Sequence, residues 1–212
     1  MIQATPLFFL TICYILLTQA SAITPDELLL RTEKGFLDSK TITADFTLTI
    51  QWQLRDTTEK KKGRIYLNRP KKYRIELEDA LFITDGSTFW RYSARNKQVV
   101  INDVSEMQDG FQPGEWFLKY TDKFKPVGLD SGQIAKARCY IVSLVPKEGD
   151  RFRNVTVWIN AKSSLPAKFE TTDKNDNVAE YLITAITKDK PLADSLFSFR
   201  APKGTEVINM RE

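Results

Sequence analysis

The sequence predicts a mainly β domain: one curved antiparallel sheet of about ten or eleven strands, forming an incomplete barrel, with two or three helices against its dry face. Three observations predict this. From Ile42 to Leu54, the apolar residues Ile42, Ala44, Phe46, Leu48, Ile50, Trp52 and Leu54 alternate without a break with Thr43, Asp45, Thr47, Thr49, Gln51 and Gln53. Such a period of two describes a strand with one dry and one wet face. Short strand-like runs then recur, separated by turn chemistry such as Asp85-Gly86 and Asp173-Lys-Asn175-Asp-Asn177. Helical spacing is confined to the start and the middle of the chain. A sheet this long curls to bury its dry face, either on itself or around the helices.

The elements follow in order. Pro6 to Leu17 is an apolar run too short to span a bilayer, followed by the small-x-small step Ala20-Ser21-Ala22. It reads as an export signal over residues 1–22, cut after Ala22, with an uncleaved anchor as the alternative. Cys13 follows Ile12 inside that run, which is not a lipoprotein cleavage context. Residues 23–212 then form one domain. Thr24-Pro25-Asp26-Glu27 carries a capping residue, a proline at the first helical position and the acid of a capping box, so a helix is expected over Pro25–Asp38. After the long strand come strands near 63–68, 72–78, 81–84, 88–93 and 97–101. Gln108 to Gly114 is loop chemistry. Glu115 to Phe124 spaces Trp116, Phe117, Tyr120 and Phe124 as a short amphipathic helix, and Pro126 to Gly132 closes that insert as a loop. Strands resume near 138–145, 152–160, 166–172 and 178–187, and short turns make sequential neighbours antiparallel. The tail from Leu196 to Val207 receives no element.

Composition excludes much chemistry. The 212 residues contain no histidine, which removes Ser-His-Asp and Cys-His sites and the usual zinc and copper ligand sets. No nucleophile elbow or phosphate-binding loop appears. Cys139 is the only cysteine after the signal, so no internal disulfide forms; in the strand-like run Cys139 to Val145 it reads as a small buried hydrophobe. The formal net charge is +4, too mild and too dispersed for a nucleic-acid binder. The one cluster, Lys60-Lys61-Lys62, is either a solvated hairpin end or a weak contact for an anionic membrane or acidic partner.

One segment carries a family resemblance. It runs Gly63-Arg-Ile-Tyr-Leu-Asn-Arg69-Pro70-Lys-Lys-Tyr73-Arg-Ile75-Glu-Leu77, then Asp85-Gly86-x-x-Phe89-Trp90-x-Tyr92 with Gln98 downstream. With the N-terminal helix, Ala44-Asp-Phe46-Thr, the central insert and the closing Phe197-x-Phe199-x-x-Pro202-x-Gly204, it resembles the outer-membrane lipoprotein carrier family, the LolA-like proteins. The resemblance implies an incomplete β-barrel with a helical lid over an apolar cavity. It implies a periplasmic monomer, without catalysis, metal or cofactor. Such a carrier takes acylated lipoproteins from an inner-membrane ABC exporter to an outer-membrane acceptor. Arg69 matches the family's arginine that holds the lid through backbone carbonyls, and Tyr73 stands where phenylalanine is usual.

Candidate lining for the acyl cavity is Phe46, Leu48, Ile50, Trp52, Ile65, Leu67, Tyr73, Ile75, Phe89, Trp90, Trp116, Phe117 and Tyr120. Each aromatic among them has a plainer reading as core, and Arg69 as a surface arginine before a strand-breaking proline. Asp85 reads as a turn former. Three rivals remain: a half-barrel module that binds lipid or glycolipid or senses lipoproteins, a secreted carboxylate hydrolase, and an adhesive sandwich. The hydrolase requires two converging acids in a polar cleft; a carrier requires an apolar lining.

Overall fold

The computed structural model of the protein describes residues 23–106, 123–147 and 152–211. The expected export signal, and Trp116, Phe117 and Tyr120 of the expected central helix, lie outside these residues. Twelve strands form a single open sheet in the order β12-β6-β5-β4-β3-β2-β1-β11-β10-β9-β8-β7, one or two more than the sequence predicts. The long strand β1 (Thr41–Trp52) sits at its centre, between β2 (Thr57–Asn68) and β11 (Val178–Lys188).

The one α-helix among the described residues is α1 (Pro25–Leu37). The capping box is in place: Glu27 N donates to Thr24 Oγ1 at 3.2 Å, and Thr24 N to the Glu27 carboxylate at 3.1 Å. Leu28, Leu29, Thr32 and Phe36 are buried on one side, at the helical spacing that a face against a sheet requires.

β1 keeps the predicted alternation through Trp52, and then a short 3₁₀ turn over Gln53–Arg55 ends it. Leu54, expected on the dry face, therefore lies in the turn and is 88 % exposed. Asp56 adopts a left-handed conformation (φ 48°) that reverses the chain. β2 begins at Thr57, six residues earlier than expected, whereas β3 (Lys72–Leu77) pairs it only from Gly63 to Asn68. Lys60, Lys61 and Lys62 thus occupy a stretch of β2 that extends past its outer partner. Charged side chains, lysine above all, keep such an unpaired edge from templating another strand.

β4 (Ala80–Thr84), β5 (Thr88–Ser93) and β6 (Gln98–Asp103) continue as antiparallel neighbours. Asp85 shapes the β4–β5 turn, accepting from the backbone of Ser87 and Thr88 at 2.8 Å each. On the other side, β8 (Ala137–Pro146), β9 (Phe152–Asn160) and β10 (Pro166–Asp173) lie near their predicted places. Two expectations fail. Phe124, expected in a helix, and Pro126–Gly132, expected as loop, belong to β7 (Phe124–Ile134), which tolerates its proline and glycines because it is an edge strand with a register shift between Pro126 and Gly128. The tail supplies β12 (Glu206–Asn209), which pairs parallel with β6, so the sheet is not wholly antiparallel.

The face carrying α1 is the inner face. Its core has two parts. One joins Phe36 with Ile42, Ala44, Phe46, Leu48, Ile65, Leu67, Tyr73, Ile75 and Phe89; the other joins Leu28 and Leu29 with Val142, Leu144, Val155, Val157, Ile159 and Phe169. Gly63 pairs with Phe46, whose ring lies over its backbone where a side chain would stand. On the outer face the tail crosses β3 through a 3₁₀ turn at Asp194–Phe197. Lys72 Nζ meets Asp194 at 2.8 Å, Arg74 Nη1 donates to Leu196 O at 3.4 Å, and the Tyr92 and Phe199 rings lie 5.3 Å apart.

Candidate functional site

Alternation on β1 and β2 brings Ile42, Ala44, Ile65 and Leu67 to the inner face, a register shift on β11 that leaves Thr184 without a partner on β1 brings Ile183 and Ile186 to the same face, and α1 lowers Phe36 onto them. These residues and Pro166 line a small pocket that is open on one side. No lining side chain is polar or charged. The space enclosed between them is only about 10 Å³, room for about one water and far below the roughly 300–1,000 Å³ of ligand pockets, so no acyl chain fits with α1 in this position.

Two cations bond the end of α1. Arg69 lies just past the end of β2, ahead of the cis bond to Pro70, and its backbone N donates to Lys40 O at 3.0 Å. Its Nη1 donates to Phe36 O at 3.2 Å. Lys188 ends β11 opposite Ile42, and its Nζ donates to Gly35 O at 2.5 Å. The two carbonyls are consecutive and belong to the last turn of α1, whose carbonyls lack intrahelical partners. Positive charge at this end also suits the helix dipole. Neither cation has a carboxylate partner among the described residues, so both are committed to the helix.

Of the predicted lining, Ile65 and Leu67 reach the pocket. Phe46, Leu48, Tyr73, Ile75 and Phe89 share its buried cluster, and Ile50 packs at the margin. Phe46 meets Tyr181 with ring centres 6.0 Å apart, and Tyr73 meets Phe89 at 6.4 Å. Trp52 ends the inner-face strip of β1 and is half-buried, with the Arg55 guanidinium 5.9 Å from its ring centre. Trp90 does not belong here. It is the sequence neighbour of Phe89 on β5 and pairs with Ile83 and Ile101, so it takes the outer face. Sequence reasoning missed Phe36, Ile42, Ala44, Pro166, Ile183 and Ile186 as lining. Ile42 and Ala44 were legible in the alternation of β1; Ile183 and Ile186 become neighbours only through the β1–β11 pairing, and Pro166 only through the β10–β11 pairing.

Reactive chemistry is sparse. Burial pushes the Cys139 thiol above its usual value, which makes it a poor nucleophile. Asp45 is held below the usual carboxylate value by its hydrogen bond with Arg64, and that pair alternates onto the outer face. No group of three or more potential metal ligands occurs among the described residues, and no helix among them is long and apolar enough to cross a membrane.

The model of the outer membrane lipoprotein carrier protein LolA matches residues 38–200. An uncharacterised protein of Methanocaldococcus jannaschii is 23 % identical over 188 residues, covering 87 % of this chain; the chain spans about half (53 %) of that relative. The outer-membrane lipoprotein carrier protein of Pasteurella multocida is 24 % identical over 174 residues, covering 81 % of this chain and 82 % of that one. Among solved structures, an uncharacterised conserved protein from Thermus thermophilus superposes with a TM-score of 0.58 at 17 % identity, covering 87 % of this chain and 98 % of its own, and so shares the fold. On the match over residues 38–200, the chain belongs to the LolA family of outer membrane lipoprotein carrier proteins.

Proposed function

We propose that the protein is an exported, monomeric carrier for the acyl chains of lipoproteins. In this reading it is cut after Ala22, works in the periplasm, receives cargo from an inner-membrane ABC exporter and yields it to an outer-membrane acceptor. The observation that carries the reading is the wholly apolar pocket beneath a helix that two cations hold shut. The relatives named as lipoprotein carriers support the kind of cargo.

The energetics suit such a cycle. Each buried CH₂ contributes roughly 0.8 kcal/mol, so an acyl anchor does not cross water unescorted. A pocket that only attracted the chain would never release it. Hydrogen bonds from Arg69 and Lys188 to α1 form in the closed, empty state and oppose loading. A hydrogen bond to a charged group is worth about 1.5–3 kcal/mol, enough to tilt a handoff without forbidding it. Arg69 is the lid-holding residue in this scheme, and Lys188 acts beside it.

The test is to incubate the tagged mature protein with spheroplasts making a labelled lipoprotein and to recover the tag. A soluble one-to-one complex with acylated cargo is the expected result. Recovery of lipids without lipoprotein assigns the pocket to another lipid, and a bare protein overturns the carrier reading.

A further inference from the structure

The inner face changes character along β1. Ala44, Phe46, Leu48 and Ile50 lead away from the pocket, and Trp52 closes the strand. Their partners on β2 change from Ile65 and Gly63 to Lys61, Glu59 and Thr57. The pocket therefore lies at one end of an apolar strip and polar groups lie at the other. The polar end is already matched in charge. Lys61 Nζ is 2.9 Å from Asp79 and 3.7 Å from Glu59, and Arg55 lies over the Trp52 ring. Two cations face two carboxylates there, leaving no excess positive charge for an anionic ligand.

Trp52 adds a specific feature. Its indole Nε1 is buried and has no hydrogen-bond partner among the described residues. Indole Nε1–H donates and never accepts. Buried donors without acceptors are rare and costly in folded proteins, and each calls for an explanation. An uncharged oxygen acceptor brought by a ligand supplies one.

We propose that Trp52 is the headgroup-reading residue of the acyl site. The chain lies along the strip with its tip in the pocket, and an ester or amide carbonyl at its head accepts from Trp52 Nε1–H. Length supports this placement. The six residue steps from Ala44 to Ile50 span about 20 Å, and one acyl chain crosses half a bilayer core, about 15 Å. The ligand class is an acyl ester or amide with an uncharged head, in preference to an acyl chain with an anionic head. The inference rests on the carrier reading and deepens it by naming the class of headgroup that the site takes.

Displacement of an uncharged fluorescent probe, N-phenylnaphthylamine, tests it with three ligands of equal chain length. These are monopalmitoylglycerol, which offers an ester carbonyl, hexadecylglycerol ether, which lacks it, and palmitoyl lysophosphatidylglycerol, which is anionic. The ester is expected to bind about tenfold tighter than the ether, and the anionic lipid weaker than the ester. Trp52→Phe is expected to abolish the ester–ether gap, and a melting temperature within a few degrees of the unaltered protein reports an intact fold in the variant. Equal binding of ester and ether by the unaltered protein, a gap that survives in Trp52→Phe, or preference for the anionic lipid overturns the assignment alone. No displacement by any of the three overturns the carrier reading with it.

Discussion

Arg69 and Lys188 reach the last turn of α1 from opposite sides of β1, one from the end of β2 and one from the end of β11. On the carrier reading these bonds break when the helix lifts, so removing either is expected to favour the loaded state over the empty one. Arg69→Leu is expected to fold and to load, but to release cargo poorly; normal transfer to acceptor membranes by that variant would sink the latch. Lys188→Met is expected to behave in the same direction, tightening an acyl probe by about tenfold or more, since one charged hydrogen bond is worth about 1.5–3 kcal/mol. Lys188→Arg keeps a donor and is expected to stay near the unaltered affinity. A residue of purely structural importance would instead weaken binding when lost, so titration of the probe separates the two roles. Arg69 was legible because an Arg-Pro step ahead of a strand is a local pattern. Lys188 was not: its partner, Gly35, lies 153 residues away, and one lysine at the end of a strand has no local signature. Trp90 is the opposite case. Its placement beside Phe89 already forbids both from one face, and that information was present in the sequence.

At the scale of the strand, Gly63 is set by its neighbours across the sheet. A Cβ there would lie 2.7 Å from Cε2 of Phe46 and 2.9 Å from Leu77 Cδ2. Gly63→Val therefore forces the Phe46 ring out of the inner core, at a cost of about 1–3 kcal/mol, which denaturant unfolding measures directly. The unpaired stretch of β2 gives a second test. Lys60→Thr with Lys62→Val leaves the strand pattern intact but removes the charges that guard the edge. Light scattering is expected to rise with protein concentration in that variant, while the melting temperature stays within a few degrees; unchanged scattering argues that the lysines serve another purpose. The strands that sequence reading found and those it missed differ physically. β1 and the strands flanking it bury one face and so carry period two. β7 is an edge strand with proline and two glycines, and at its exposed positions Val127 and Leu129 nothing enforces alternation. β12 is four residues long and is defined by its parallel pairing with β6 rather than by its own pattern.

For the molecule as a whole, α1 bridges two packing units. Leu28 and Leu29 belong to the cluster on β8, β9 and β10, while Phe36 belongs to the cluster around β1 and β2 that holds the pocket. Opening the pocket therefore does not require the whole helix to leave. The burial of Leu28 and Leu29, each contributing roughly 1.5–3 kcal/mol, fixes the N-terminal half. The C-terminal half is held by Phe36, by the two cationic bonds and by Ser39, which donates to the same two carbonyls; on the carrier reading, those are what an entering chain displaces. The expected motion is a swing of the last turns about the first. Hydrogen exchange distinguishes this from release of the entire helix. On adding monopalmitoylglycerol, the amides of residues 34–38 are expected to exchange faster while those of residues 29–32 keep their protection. Faster exchange along all of α1 means that the helix detaches as a unit, and the cluster under Leu28 and Leu29 then becomes part of the binding surface. Unchanged exchange throughout α1 means that the chain enters without moving it; the latch formed by Arg69 and Lys188 would then have no part in loading.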